Sequence, residues 1–79
     1  MSRFKDEEIL KYFKDVYKDK YKDVLLENSV NSLVFSYLVG MPPEECKYME
    51  LESEMDDEQV EEYYEIEGII HRLIAKVKE

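Results

Sequence analysis

The sequence predicts an all-α fold, a compact bundle of three to four helices forming one small domain over residues 1–79. Three observations predict it. Apolar residues recur at spacings of three and four along most of the chain, the period of a helix buried on one face. The punctuation is sparse, with two Gly and two Pro, and three of these four sit together at Gly40, Pro42 and Pro43. The hydrophobic content of 44 % with 13 % aromatics is that of a chain with a core and too rich for a solvating acidic tail.

The first helix is expected over Arg3–Glu27. Ile9, Tyr12, Phe13, Val16, Tyr17, Tyr21 and Val24 share one face, Ser2 is positioned as N-cap, and Asp6, Glu7 and Glu8 suit the positive end of the helix dipole. Lys11, Lys14, Lys18 and Lys22 alternate with Asp15, Asp19 and Asp23 on the other side, a mixed-charge solvated face. Lys20 falls in the middle of the apolar face. Either its stem snorkels outward or the helix is bent or broken near Lys18–Lys20.

A second, short helix runs from Asn28 or Ser29 to about Val39, with Val30, Leu33, Val34, Tyr37 and Leu38 in helical register. Leu33-Val34-Phe35 is also β-prone, but Gly40 with Pro42-Pro43 just beyond is helix-stop chemistry. Pro43 opens a third helix at its N1 position, with Glu44 and Glu45 in the first turn. That helix is expected to reach about Glu52 and to bury Cys46, Met49 and Tyr48; Glu50–Asp57 receives no firm assignment. The last helix begins at Asp56, which with Gln59 forms a capping-box pattern. Val60, Tyr63, Ile66, Ile70, Leu73, Ile74 and Val77 make its apolar face, and Lys76 and Lys78 complement its C-terminal dipole. Tyr64 and Ile69 widen that face beyond what the first helix covers. A homodimer is therefore expected, with Tyr63, Ile66, Ile70, Leu73, Ile74 and Val77 at its interface. Gly68 inside this helix reads as a point of close backbone approach.

Chemistry is excluded more easily than it is found. One His and one Cys lie 25 positions apart, and no Gly-rich phosphate loop, HExxH or CxxC is present, so no enzyme and no cofactor are expected. Glu67 and His71 form a surface i, i+4 pair in which no further metal ligand is evident. Glu54, Asp56, Glu58 and Glu65 stand at the offsets of calcium-loop carboxylates, but Gln59 occupies the position where such a loop turns on Gly. Val39-Gly40-Met41-Pro42-Pro43-Glu44-Glu45-Cys46 has the form of a helix-turn-helix turn, yet the element after it carries Glu44, Glu45 and Glu50 where a DNA reader needs bases. The lone Cys46 forms no internal disulfide, residues 1–8 lack an apolar secretion core, and Leu33–Met41 is too short for the roughly 20 residues that span a bilayer. A cytoplasmic setting is expected, or a host cytoplasm for a virally encoded chain.

The charge is segregated. Glu44–Glu67 holds twelve acids and one base, whereas residues 1–43 are neutral and residues 68–79 are slightly basic, within a formal charge of −9. Such a chain should not bind nucleic acid or anionic lipid directly, and its partners should be basic. Glu58, Glu61, Glu62 and Glu65 share one helical stripe over two turns, roughly one carboxylate per 2.6 Å against about one charge per 1.7 Å of duplex DNA. With Glu44, Glu45, Glu50, Glu52, Glu54, Asp56 and Asp57 they form the expected partner-binding surface.

In size, charge segregation and acidic helical surface, Glu44–Glu67 resembles the phage-encoded DNA-mimic proteins, which share charge geometry and not sequence. The resemblance implies inhibition of a basic DNA-binding host protein by occupation of its DNA site. A histone-like nucleoid protein is the first expected target and a CRISPR or restriction effector the second. A helical adaptor acting through apolar and Tyr-rich faces is the alternative.

Overall fold

The computed structural model describes residues 3–49 and 55–79. Among these the chain forms α1 (Asp6–Tyr17), a 3-10 turn (Lys18–Lys20), α2 (Tyr21–Glu27), α3 (Val30–Val39), a second 3-10 turn (Pro43–Cys46) and α4 (Asp57–Lys78). The all-α expectation holds, and the described residues contain no strand.

The short α3 is the centre of the bundle. Its residues Ser32 to Ser36 are buried in an unbroken run, which a helix achieves only when it is covered on several sides. The β-prone Leu33-Val34-Phe35 is helical because both ends are locally specified. The Ser29 hydroxyl accepts the Ser32 N–H at 3.2 Å as an N-cap. At the other end Gly40 takes φ +75°, a left-handed conformation that Gly adopts without a Cβ penalty, and its N–H donates to the Ser36 carbonyl at 2.8 Å.

The first expected helix is two helices. It starts at Asp6 with Lys5 as N-cap instead of at Arg3, and Ser2 lies outside the described residues. It breaks at Lys18–Lys20, one of the two outcomes expected from the misplaced Lys20. Lys18 carries φ +53° and ψ −129°, a conformation costing a non-glycine residue about 1–3 kcal/mol. The break resets the register. Val16, on the buried face of a continuous helix, is 50 % exposed, and Leu25 takes up the core position that the spacing had not assigned.

Among the described residues the expected third helix is a single 3-10 turn followed by Lys47 and Tyr48, and its expected end at residues 50–52 lies outside them. Cys46 is buried as expected, Met49 is half-buried, and Tyr48 is 93 % exposed, contrary to expectation. Burial pushes the Cys46 thiol pKa up, which disfavours the thiolate. The turn is tied to α3 by Ser36 Oγ, which donates to the Met41 carbonyl, and by Asn31 Nδ2, which donates to the Met49 carbonyl at 2.7 Å.

The capping box at α4 is formed in both directions. The Gln59 N–H donates to Asp56 Oδ1 at 2.8 Å, and the Asp56 N–H donates to Gln59 Oε1 at 3.0 Å. The wide apolar face of α4 is explained within one chain, because α1, α2 and α3 all pack against it. Tyr63, Ile66, Ile70 and Leu73 are all buried in that core, with Ile74 and Val77 packed at its edge. Of the six residues expected at a dimer interface, four are thus spent in the chain's own core, and Ile74 and Val77 are half-buried. Gly68 meets no backbone either: a Cβ there would lie 3.8 Å from the Arg72 side chain, an ordinary contact. Among the described residues no helix is long and apolar enough to cross a membrane.

Two stability changes follow from this packing. Gly68→Ala is expected to stabilise the protein by up to about 1 kcal/mol in urea denaturation, since it gains helix propensity without a clash. Tyr63→Phe is expected to cost about 1–2 kcal/mol, because Tyr63 Oη donates to Asn31 Oδ1 at 2.6 Å and the half-buried amide would lose that partner.

Candidate acidic interface

The acids lie on more than one element. Glu44 and Glu45 are exposed on the second 3-10 turn, beside exposed Lys47. Glu50, Glu52 and Glu54 lie outside the described residues. Asp56 is exposed, but its Oδ1 accepts the Gln59 N–H and so serves the helix cap. Asp57, Glu58 and Glu61 are exposed on the first turns of α4, whereas Glu62 and Glu65 are half-buried. The four-carboxylate stripe is thus real as a helical register but is not fully solvent-facing. The outermost line of α4 runs instead through Asp57, Glu61, Tyr64 and His71, with Glu58 and Glu65 on one flank.

That flank is occupied by the N-terminal segment. Arg3 Nη1 donates to Glu58 Oε1 at 2.8 Å, and the Arg3 backbone N–H donates to Glu65 Oε1 at 2.7 Å. One residue therefore clamps two carboxylates that stand two helical turns apart. At the first residue of α1, Asp6 accepts a bidentate pair from Arg72, Nε to Oδ2 at 2.9 Å and Nη2 to Oδ1 at 2.8 Å. The acidic character of α4 thus ends where Arg72 and Lys76 begin. Asp57, Glu61 and Glu62 form no ion pair with any described residue.

Sequence reasoning had no route to Arg3, Asp6 and Arg72. Their partners lie 55, 62 and 66 positions away, and no helical period reports contacts of that range. Glu58 and Glu65, at two of the calcium-loop offsets, are in regular α-helix, which such a loop would interrupt, and Glu54 lies outside the described residues. Glu67 and His71 form no ion pair, and the described residues contain no cluster of three or more His, Cys, Asp or Glu able to hold a metal.

Aromatic rings anchor the end of α1 that carries these contacts. Phe4 packs edge-on against Tyr37 with centroids 6.2 Å apart, and Tyr37 packs edge-on against Tyr12 at 5.1 Å. Tyr12 Oη donates to the Ser36 carbonyl at 3.2 Å, and burial raises the Tyr12 and Tyr37 pKa values, so both remain phenols.

The Arg72 hydrogen bonds hold the Asp6 carboxyl below its ordinary value of 3.8. Its stabilisation is therefore complete above that value and lost as pH falls through the lower, folded-state one. Asp6→Asn is expected to melt below the wild type at pH 6, with the gap closing as pH drops from about 4 towards 2; thermal melts across that range measure it.

Comparison with known protein families, characterised proteins and solved structures found no match to this chain.

Proposed function

We propose that this protein binds a basic nucleic-acid-binding protein in the place of DNA, through the acids on the first turns of α4. The observation that carries the reading is that Asp57, Glu61 and Glu62 stand on a capped helix of 22 residues, with no ion pair to any described residue. Their spacing is fixed before any partner arrives, so little conformational entropy is lost on binding. Lys and Arg that ordinarily meet phosphates meet carboxylates at comparable spacing, and the association is fast and salt-sensitive. Glu44 and Glu45 extend the surface from a second element. Arg3 offsets one charge at the flank, so the effective array is Asp57–Glu61–Glu62, narrower than the full stripe. A histone-like nucleoid protein is the first target for this reading and a CRISPR or restriction effector the second.

A second reading is supported by a groove of about 370 Å³ lined by Phe35, Leu38, Val39, Met55, Gln59 and Glu62. Its apolar wall, with Val39 48 % exposed, suits an adaptor that binds through apolar contacts.

The two separate in one experiment. Labelled duplex DNA bound to a histone-like nucleoid protein is titrated with this protein, and displacement is followed by anisotropy at two salt concentrations. Mimicry expects displacement that weakens with salt and falls at least about tenfold for Asp57→Lys/Glu61→Lys, two exposed positions outside the groove. These two positions are preferred to Glu58, whose reversal would also break the Arg3 contact. No displacement from this target and from the effector class, or full displacement by the double variant, would overturn mimicry. Binding of a partner that is lost on Val39→Glu alone would favour the adaptor.

A further inference from the structure

We infer that the Lys18–Lys20 turn is a strained hinge that opens to exchange α1 between two copies of this chain. Two independent observations meet there. The first is the backbone of Lys18, at φ +53° and ψ −129°, the one non-glycine residue with positive φ among those described. No Gly, Pro or Asn lies between Lys14 and Val24, so the one local cause of the break is Lys20, and Lys18, Asp19 and Lys20 are all exposed. The second is the sequence period, which continues in the same register on both sides of the break, interrupted by Lys20 alone. On a continuous helix Ile9, Tyr12, Phe13, Val16, Tyr17, Tyr21 and Val24 would share one face. A strained short hinge between elements whose sequence favours one straight helix is the condition under which exchange between protomers costs least.

The exchange preserves the contacts that hold α1. In the closed chain Ile9 and Phe13 are fully buried, Asp6 is held by Arg72, and Arg3 reaches Glu58. In the open form the straightened helix from Asp6 to Glu27 has 22 residues, roughly 33 Å, and carries α1 away from its own α4. Each α1 then makes the same contacts on the other copy's α4. The gain is release of Lys18 into ordinary helical geometry and a central stretch in which Val16, 50 % exposed in the closed chain, finds apolar neighbours. Lys20 opposes the exchange, because on the straight helix it stands in the middle of the apolar face. The α4 face that receives α1 in the closed chain receives the other copy's α1 in this dimer. The Asp57–Glu61–Glu62 array remains outward in each half, so the exchanged dimer presents it twice.

The test uses the full chain, refolded from denaturant at micromolar and at millimolar concentration and sized by chromatography with light scattering. Dimer is expected after refolding at high concentration. Lys18→Gly, which relieves the closed hinge, should weaken dimerisation by about tenfold or more, and Lys20→Leu should strengthen it. A proximity link identifies the exchange: in Asp6→Cys/Arg72→Cys a short bismaleimide should join two chains in the dimer fraction and one chain in the monomer fraction. The buried Cys46 should remain unlabelled. Monomer at every concentration for both the wild type and Lys20→Leu would overturn the inference. So would a dimer in which the link forms within single chains.

Discussion

Covering α3 is the constraint on which the rest of the structure depends. A ten-residue helix with five consecutive buried positions has no solvated face along that run, so other elements must be supplied around it. α4 covers one side through Phe35 and Tyr63, whose rings lie 5.4 Å apart. α1 covers another through Tyr12 and Tyr37, and the Pro43–Cys46 turn covers a third. Two serines inside this core remain tolerable because each hydroxyl is bonded, Ser32 to Ser29 and Ser36 to the Met41 carbonyl. Among the described residues no buried side-chain polar atom lacks a partner. The polar atoms of the core thereby fix the path of the chain around α3.

The same constraint shapes the acidic surface. With one face of α4 committed to the core, its acids can occupy only the outer line and the two flanks. The flank next to α1 is partly neutralised by Arg3, and the outer line is not. Along α4 the acidic surface is therefore graded, unpaired at Asp57, Glu61 and Glu62 and ending at Arg72. Exposed ion pairs such as Arg3–Glu58 contribute little stability, on the order of 0–1 kcal/mol. Their effect here is on the shape of the field presented to a partner.

Tyr63 illustrates how a core residue can look like an interface residue. Its position on a face too broad for one neighbour is the pattern expected of a second binding surface. In the fold the breadth is used because α4 meets three other helices of its own chain. Monomer packing and dimer packing draw on the same apolar period, so the period alone does not separate them.

What the sequence by itself determined is the local structure: the helical class, the Ser29 cap, the Asp56–Gln59 capping box and the Gly40 stop. Each rests on residues within four positions of one another, where backbone geometry leaves few alternatives. It also placed the acids on α4 in their correct register. Only the tertiary structure decided that the first helix breaks at Lys18–Lys20 instead of running on past a snorkelling Lys20, that Pro43–Cys46 is one turn and not a helix, that Leu25 enters the core, and that Arg3 clamps Glu58 and Glu65. Those outcomes depend on contacts between residues up to 66 positions apart, and on a backbone cost at Lys18 that packing offsets. Such contacts leave no trace in spacing, because a helical period records which side of a helix is apolar and not what comes to cover it.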